Sequence, residues 1–171
     1  PLVNCAFETA AITASGVRAG FDVQGIVDTT VVALAGDGGT FDIGFGALSA
    51  AAERNEDILY ICYDNEAYMN TGIQRSSATP IGAWTTTTPQ GALKGEAKKD
   101  IGAIMAAHRI PYFATASIAW PEDFSAKLLK AKETKGFRMI HYLCPCPTGW
   151  HADPKHMITL ARLAVESRVF P

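Results

Sequence analysis

Charge is sparse in this chain. Of its 171 residues 19% are charged, the formal net charge is −2, and no Lys/Arg-rich run occurs. Clustered cations are what bind phosphate backbones, so nucleic acid is excluded as a main partner. Long apolar runs are missing as well: no stretch reaches the about 18 residues of a membrane span. The first residues also lack the pattern of a secretory signal. The expectation is a cytoplasmic chain with no membrane partner. Cysteine is rare and unevenly spread, at Cys5, Cys62, Cys144 and Cys146. That excludes a disulfide scaffold and makes reduced thiols the default. Cys62 lies in an apolar run and reads as a small core residue. Two nucleotide signatures are absent: the third glycine of G-x-G-x-x-G would fall at Phe41, and no G-K-S/T follows.

What is present is apolar mass, 48% of the residues, enough for one well-buried domain over residues 1–171. The chain begins "PLVNCAF" and ends "SRVFP", which reads as a piece of a longer subunit. Short apolar runs alternate with helical patterns. Helices are expected over 6–20, 42–55, 96–109, 121–136 and 155–169, with Ile43, Ala47, Leu48 and Ala51 on one face of the second. Strands are expected over 30–36, 57–65, 111–117 and 138–146, the first buried and the second apolar on both faces. This order predicts an α/β fold, a parallel sheet with helices on both faces. The polar loop from 66 to 95 is too long for a plain connector and is expected to be functional. "EAKKD" at 96–100 reads as a solvated helix start.

In such sheets ligands bind beyond the carboxyl ends of strands. "GDGG" at 36–39 and "DNEAYMN" at 64–70 both stand there. Asp37 and Asn65 therefore share a rim, each with a side-chain oxygen. Mg²⁺ takes about six oxygens, few from protein and several from phosphates. Gly36, Gly38 and Gly39 would let backbone amides approach a diphosphate. A plain Asp-Gly turn is the competing reading. GDG followed by 26 residues and then Asn65 is what raises the signal.

That spacing resembles the thiamine-diphosphate signature. The stretch "GDGGTFDIGFGALSAAAERNEDILYICYDNEAYMNTGIQRSSATP", together with "CPCPTGW", resembles the β subunit, or β-like domain, of the 2-oxoacid:ferredoxin oxidoreductases. The resemblance runs from about residue 5 to the end. It implies a thiamine-diphosphate-binding fold and oxidative decarboxylation of a 2-oxoacid. Pyruvate with coenzyme A is the leading substrate, with electrons passing through 4Fe–4S clusters to ferredoxin. Oxalate without coenzyme A is the runner-up. A non-redox thiamine decarboxylase or synthase, or a non-catalytic assembly subunit, would belong to other classes.

By the same resemblance Asp37 and Asn65 hold Mg²⁺ through side-chain oxygens and Ala67 through its carbonyl. Gly36, Gly38 and Gly39 line the diphosphate. Asn70 stands near the thiazolium and substrate as the catalytic candidate, with Thr71 beside it; capping the loop and bonding backbone are their alternatives. Cys146 is a 4Fe–4S ligand, and Cys144 packs near the cluster. The family's N-terminal C-x-x-C and further upstream Cys are absent, so either the chain is truncated or the remaining cluster ligands are supplied elsewhere, outside this segment. An activating glutamate is not assigned; Glu8 and Glu66 are candidates by sequence proximity alone. His108 and His141 read as core or surface residues, and Trp84 and Trp120 as residues that line the pocket or pack.

Overall fold

A computed structural model describes residues 2–171 of the chain. Four strands form a parallel sheet: β1 (Val31–Gly36), β2 (Ile58–Asp64), β5 (Tyr112–Ser117) and β6 (Arg138–Leu143), in the order β1-β2-β6-β5. Val31 pairs with Ile58, and Leu59 and Tyr112 both pair with Arg138. A second, antiparallel pair, β3 (Ala67–Tyr68) and β4 (Gln74–Arg75), lies within the long polar loop. The helices are α1 (Ala10–Val23), α2 (Phe45–Glu53), α3 (Ile101–Ala107), α4 (Pro121–Glu133) and α5 (Met157–Glu166). None of the helices in the described residues is long and apolar enough to cross a membrane.

Strand alternation sends side chains to two faces. On one face Val31, Ala33, Ala35, Ile58, Tyr60, Cys62 and Met139 pack with Ala10, Ala11 and Ala14 of α1, Leu48 and Ala51 of α2, and Ile101 and Met105 of α3. On the other, Leu59, Ile61, Ala116 and Ile140 pack under Phe124, Leu128 and Ala131 of α4. Helices therefore cover both faces, as expected, and Cys62 is a core residue. Each fully buried Leu or Ile in these clusters stabilises the fold by roughly 1.5–3 kcal/mol.

Several boundaries differ from the sequence expectation. The first helix runs 10–23, not 6–20: residues 7–9 tighten into a 3₁₀ turn, and the stop is Gly25 at φ 70°. Residues 38–43 form a π-helical segment, so α2 begins at Phe45. Ile43 is consequently turned out and 59% exposed, off the face that Leu48 and Ala51 bury. The helix expected from 96 starts at Ile101, capped by Asp100, whose side chain accepts from Ala103 N at 2.8 Å. Glu96, Ala97 and Asp100 of "EAKKD" are exposed, but its two lysines turn inward. Lys98 reaches Asp64 (2.8 Å) and Glu66 (3.1 Å), and Lys99 Nζ donates to the carbonyl of Phe41. β1 is buried on one face only, because it is an edge strand and α4 sits over β5 and β6; Val32 and Leu34 stay exposed.

Candidate cofactor site

The carboxyl ends of β1, β2 and β6 lie side by side, and the chain leaves each at a residue singled out above. Asp37 follows β1, Asn65 follows β2, and Cys144 follows β6. Between the β1 and β2 exits lies a cleft of about 330 Å³. Its lining includes Gly36, Asp37, Gly38, Gly39, Asn65, Ala67, Asn70 and Thr71, along with Phe7, Tyr63, Tyr68 and Met69. Every residue expected to hold the diphosphate, the cation or the substrate is thus brought to one cleft.

The three expected cation ligands converge. Oriented by its hydrogen-bond network, the Asn65 amide nitrogen donates to Ala67 O (2.8 Å) and Asp37 Oδ1 (3.0 Å). The local backbone makes this possible. Glu66 sits at φ 71°, a left-handed conformation that turns the Ala67 carbonyl back towards Asn65. Glu66 N donates to Asp64 Oδ1 at 2.8 Å, and Thr79 Oγ1 donates to Glu66 O at 2.5 Å. Ile73, in the β3–β4 turn, is also left-handed at φ 64°, although β-branched; Thr86 N and Oγ1 both donate to its carbonyl.

Two buried carboxylates stand here with opposite fates. Asp64 is held by His141 Nε2 (2.7 Å) and Lys98 Nζ (2.8 Å). Burial alone would raise its pKa, but the His141 hydrogen bond and the Lys98 charge outweigh that and lower it. Asp37 is 1% exposed, with no cationic side chain among its described partners. Burial first, and the Asp64 charge second, push its pKa up to about 7, against the lowering effect of the Ser76 hydroxyl and the Asn65 amide. A buried carboxylate beside a side-chain amide and a backbone carbonyl, lacking a positive partner, fits a hard divalent cation.

The glycines serve two ends. A Cβ on Gly38 would lie 2.1 Å from the Tyr68 ring, and one on Gly39 would lie 2.7 Å from Phe7 O. Their lack of side chains first admits Tyr68, whose hydroxyl donates to Gly38 O and Asp42 Oδ2 at 3.1 Å each. It also leaves backbone bare towards the cleft. Asn70 and Thr71 are exposed at the cleft mouth, and the Thr71 hydroxyl donates to Gln74 within the hairpin. "SSAT" is a strap: Ser76 Oγ donates to Asp37, Ser77 Oγ to Asp42. Sequence reading missed Ser76, Lys98 and His141. Their clue was polar residues in patterns otherwise read as loop, helix start and core strand.

Cys144 and Cys146 are both partly buried, after β6. Burial raises the Cys144 thiol to about 12. Among the described residues no third His, Cys, Asp or Glu joins them in a metal-binding group, so this segment does not complete a four-thiolate cluster shell. Cys5 is exposed, beside the β1 edge.

The chain belongs to the thiamine pyrophosphate enzymes, by their C-terminal TPP-binding domain, whose family model matches residues 4–142. Its relatives narrow this to the group expected from the sequence. It is 58% identical to pyruvate synthase subunit PorB of Methanothermobacter thermautotrophicus, over 98% of this chain and 59% of that one. To ketoisovalerate oxidoreductase subunit VorB of Pyrococcus abyssi it is 54% identical, over 99% and 57%. A solved 2-oxoglutarate:ferredoxin oxidoreductase from Magnetococcus marinus matches with TM-score 0.76 and 27% identity, over 83% of this chain and 46% of that chain. The chain thus spans about three-fifths of the length of the curated relatives it matches.

Proposed function

We propose that this chain is the thiamine-diphosphate-binding part of a 2-oxoacid:ferredoxin oxidoreductase, working with other subunits on pyruvate and coenzyme A in the cytoplasm. The convergence of Asp37, Asn65 and Ala67 O beside a bare glycine turn carries the reading. Asp37 and Asn65 would hold Mg²⁺ by side-chain oxygen, with the Asn65 amide turned over from its cation-free orientation, and Ala67 by its carbonyl. Gly36, Gly38 and Gly39 would present backbone to the diphosphate. When bound, thiamine diphosphate supplies the nucleophile and electron sink for decarboxylating a 2-oxoacid. Asn70, at the cleft mouth, would orient the substrate by its amide, with Thr71 stiffening the turn that carries it. Cys146 would be this chain's ligand to a 4Fe–4S cluster, the other ligands lying outside this segment, and ferredoxin the acceptor.

The identity to a ketoisovalerate oxidoreductase subunit supports a branched 2-oxoacid as second reading; oxalate is a third arm of the test. The complex containing this chain, purified without oxygen, is given each acid with a low-potential electron acceptor, with and without coenzyme A. Pyruvate turnover requiring coenzyme A supports the proposal. Turnover of ketoisovalerate alone, or of oxalate without coenzyme A, replaces pyruvate. Asp37→Ala should abolish Mg²⁺-dependent cofactor binding, and unchanged binding overturns the cation assignment.

A further inference from the structure

The loop after β2 and the loop after β6 are tied together where they leave the sheet. Cys144 N donates to Asp64 O at 2.8 Å. The Met69 thioether fills the space above Gly149, where a Cβ would lie 2.1 Å from its sulfur. Trp150 Nε1 donates to Asn65 O at 3.1 Å, while Trp150 N donates to Cys146 O at 2.8 Å, closing the cysteine turn. The Asn65–Glu66 peptide is therefore pinned at both ends: its N–H by Asp64 Oδ1, its C=O by the indole of Trp150. This peptide leads into Glu66 at φ 71°, a conformation that persists only when its surroundings hold it. Without these pins the left-handed turn at Glu66 relaxes, and the Ala67 carbonyl that follows it leaves Asn65.

We propose that Trp150 is a positioning residue for the cation site. Its indole N–H locks the Asn65–Glu66 peptide, and through Cys146 it couples the cysteine loop to the affinity for Mg²⁺ and diphosphate. The inference rests on the cofactor reading above. Coupling of this kind is reciprocal: whatever orders the Cys146 turn tightens Mg²⁺-dependent binding, and binding orders the turn.

The test uses the whole complex and titrates Mg²⁺ against thiamine diphosphate by calorimetry. Trp150→Phe removes the donor; benzothienylalanine at position 150 removes it while keeping the bicyclic shape. Losing one hydrogen bond of about 1–1.5 kcal/mol predicts a roughly 5- to 15-fold rise in the Mg²⁺ concentration for half-maximal cofactor binding. Cofactor-free melting of the isostere should fall only slightly while Mg²⁺-dependent binding weakens, whereas a merely structural role would move the melting and leave the binding unchanged. Cys146→Ser should weaken Mg²⁺-dependent binding more in the wild type than in the isostere. An isostere that binds Mg²⁺ and cofactor like the wild type overturns the proposal, as does an equal Cys146→Ser effect in both backgrounds. If Trp150→Phe does not fold, the isostere decides alone. A wild-type complex without Mg²⁺-dependent cofactor binding overturns the cofactor reading first, and this inference with it.

Discussion

Neighbouring side chains of one chemical type end in different roles because of what surrounds them. Asp64 is neutralised inside the protein; Asp37 has no cationic side-chain partner among the described residues. Removing one internal partner should be costly: Lys98→Met leaves Asp64 with His141 alone and should destabilise the chain by about 1–3 kcal/mol, readable as a fall in the denaturant midpoint. A shift no larger than a surface mutation would contradict that pairing. Gly38→Ala forces a methyl into the Tyr68 ring. It should cost about 1–3 kcal/mol of stability and lose cofactor binding; Gly46→Ala, which meets nothing within 4 Å, should do neither. At this scale the sequence exposed Asp37, Asn65 and the glycines, because spacing and residue type carry them. Ser76, Lys98 and His141 stayed hidden. Their partners lie 39, 34 and 77 residues away, and no local pattern encodes such a meeting.

Elements were more legible than their ends. All four sheet strands could be read from apolar runs bounded by turn residues, although only the central strands are covered on both faces and β1 is covered on one. The π segment at 38–43 and the β3–β4 hairpin could not, since threonine hydroxyls and a strap to Asp37, not periodicity, hold them. The amino ends of β2 and β6 are joined by an ionic tie, with Arg138 and Lys135 on Asp57. Burial raises the Asp57 pKa, but the two cations outweigh it and lower it from 3.8. The unfolded chain then binds that proton more readily, so the stability from the tie is full above the ordinary carboxylate value and lost as pH falls below it. The gap in melting temperature between the wild type and Asp57→Asn should accordingly shrink from about pH 7 to about pH 3. A gap independent of pH would remove the tie from the account.

As a whole, the molecule is unevenly covered. Ile140 is fully buried beneath α4, so Ile140→Ala should cost about 2–5 kcal/mol. Leu34, 61% exposed on the edge strand, should tolerate Leu34→Ser within about 0.5 kcal/mol in this chain. Equal losses by urea titration would mean that something covers that edge. The strand order has a further consequence, for the timing of folding. Among the described strands β6 is made last, yet it sits between β2 and β5, and β5 has no other partner among them. During synthesis β1 and β2 can pair early, but β5 must wait, its edges unsatisfied, until residues 138–143 have left the ribosome. Closure of the sheet and delivery of the cysteine loop to the cleft beside Asp37 and Asn65 are then one late event. A nascent chain halted before Arg138 would hold half a sheet and an open core, a natural substrate for chaperones.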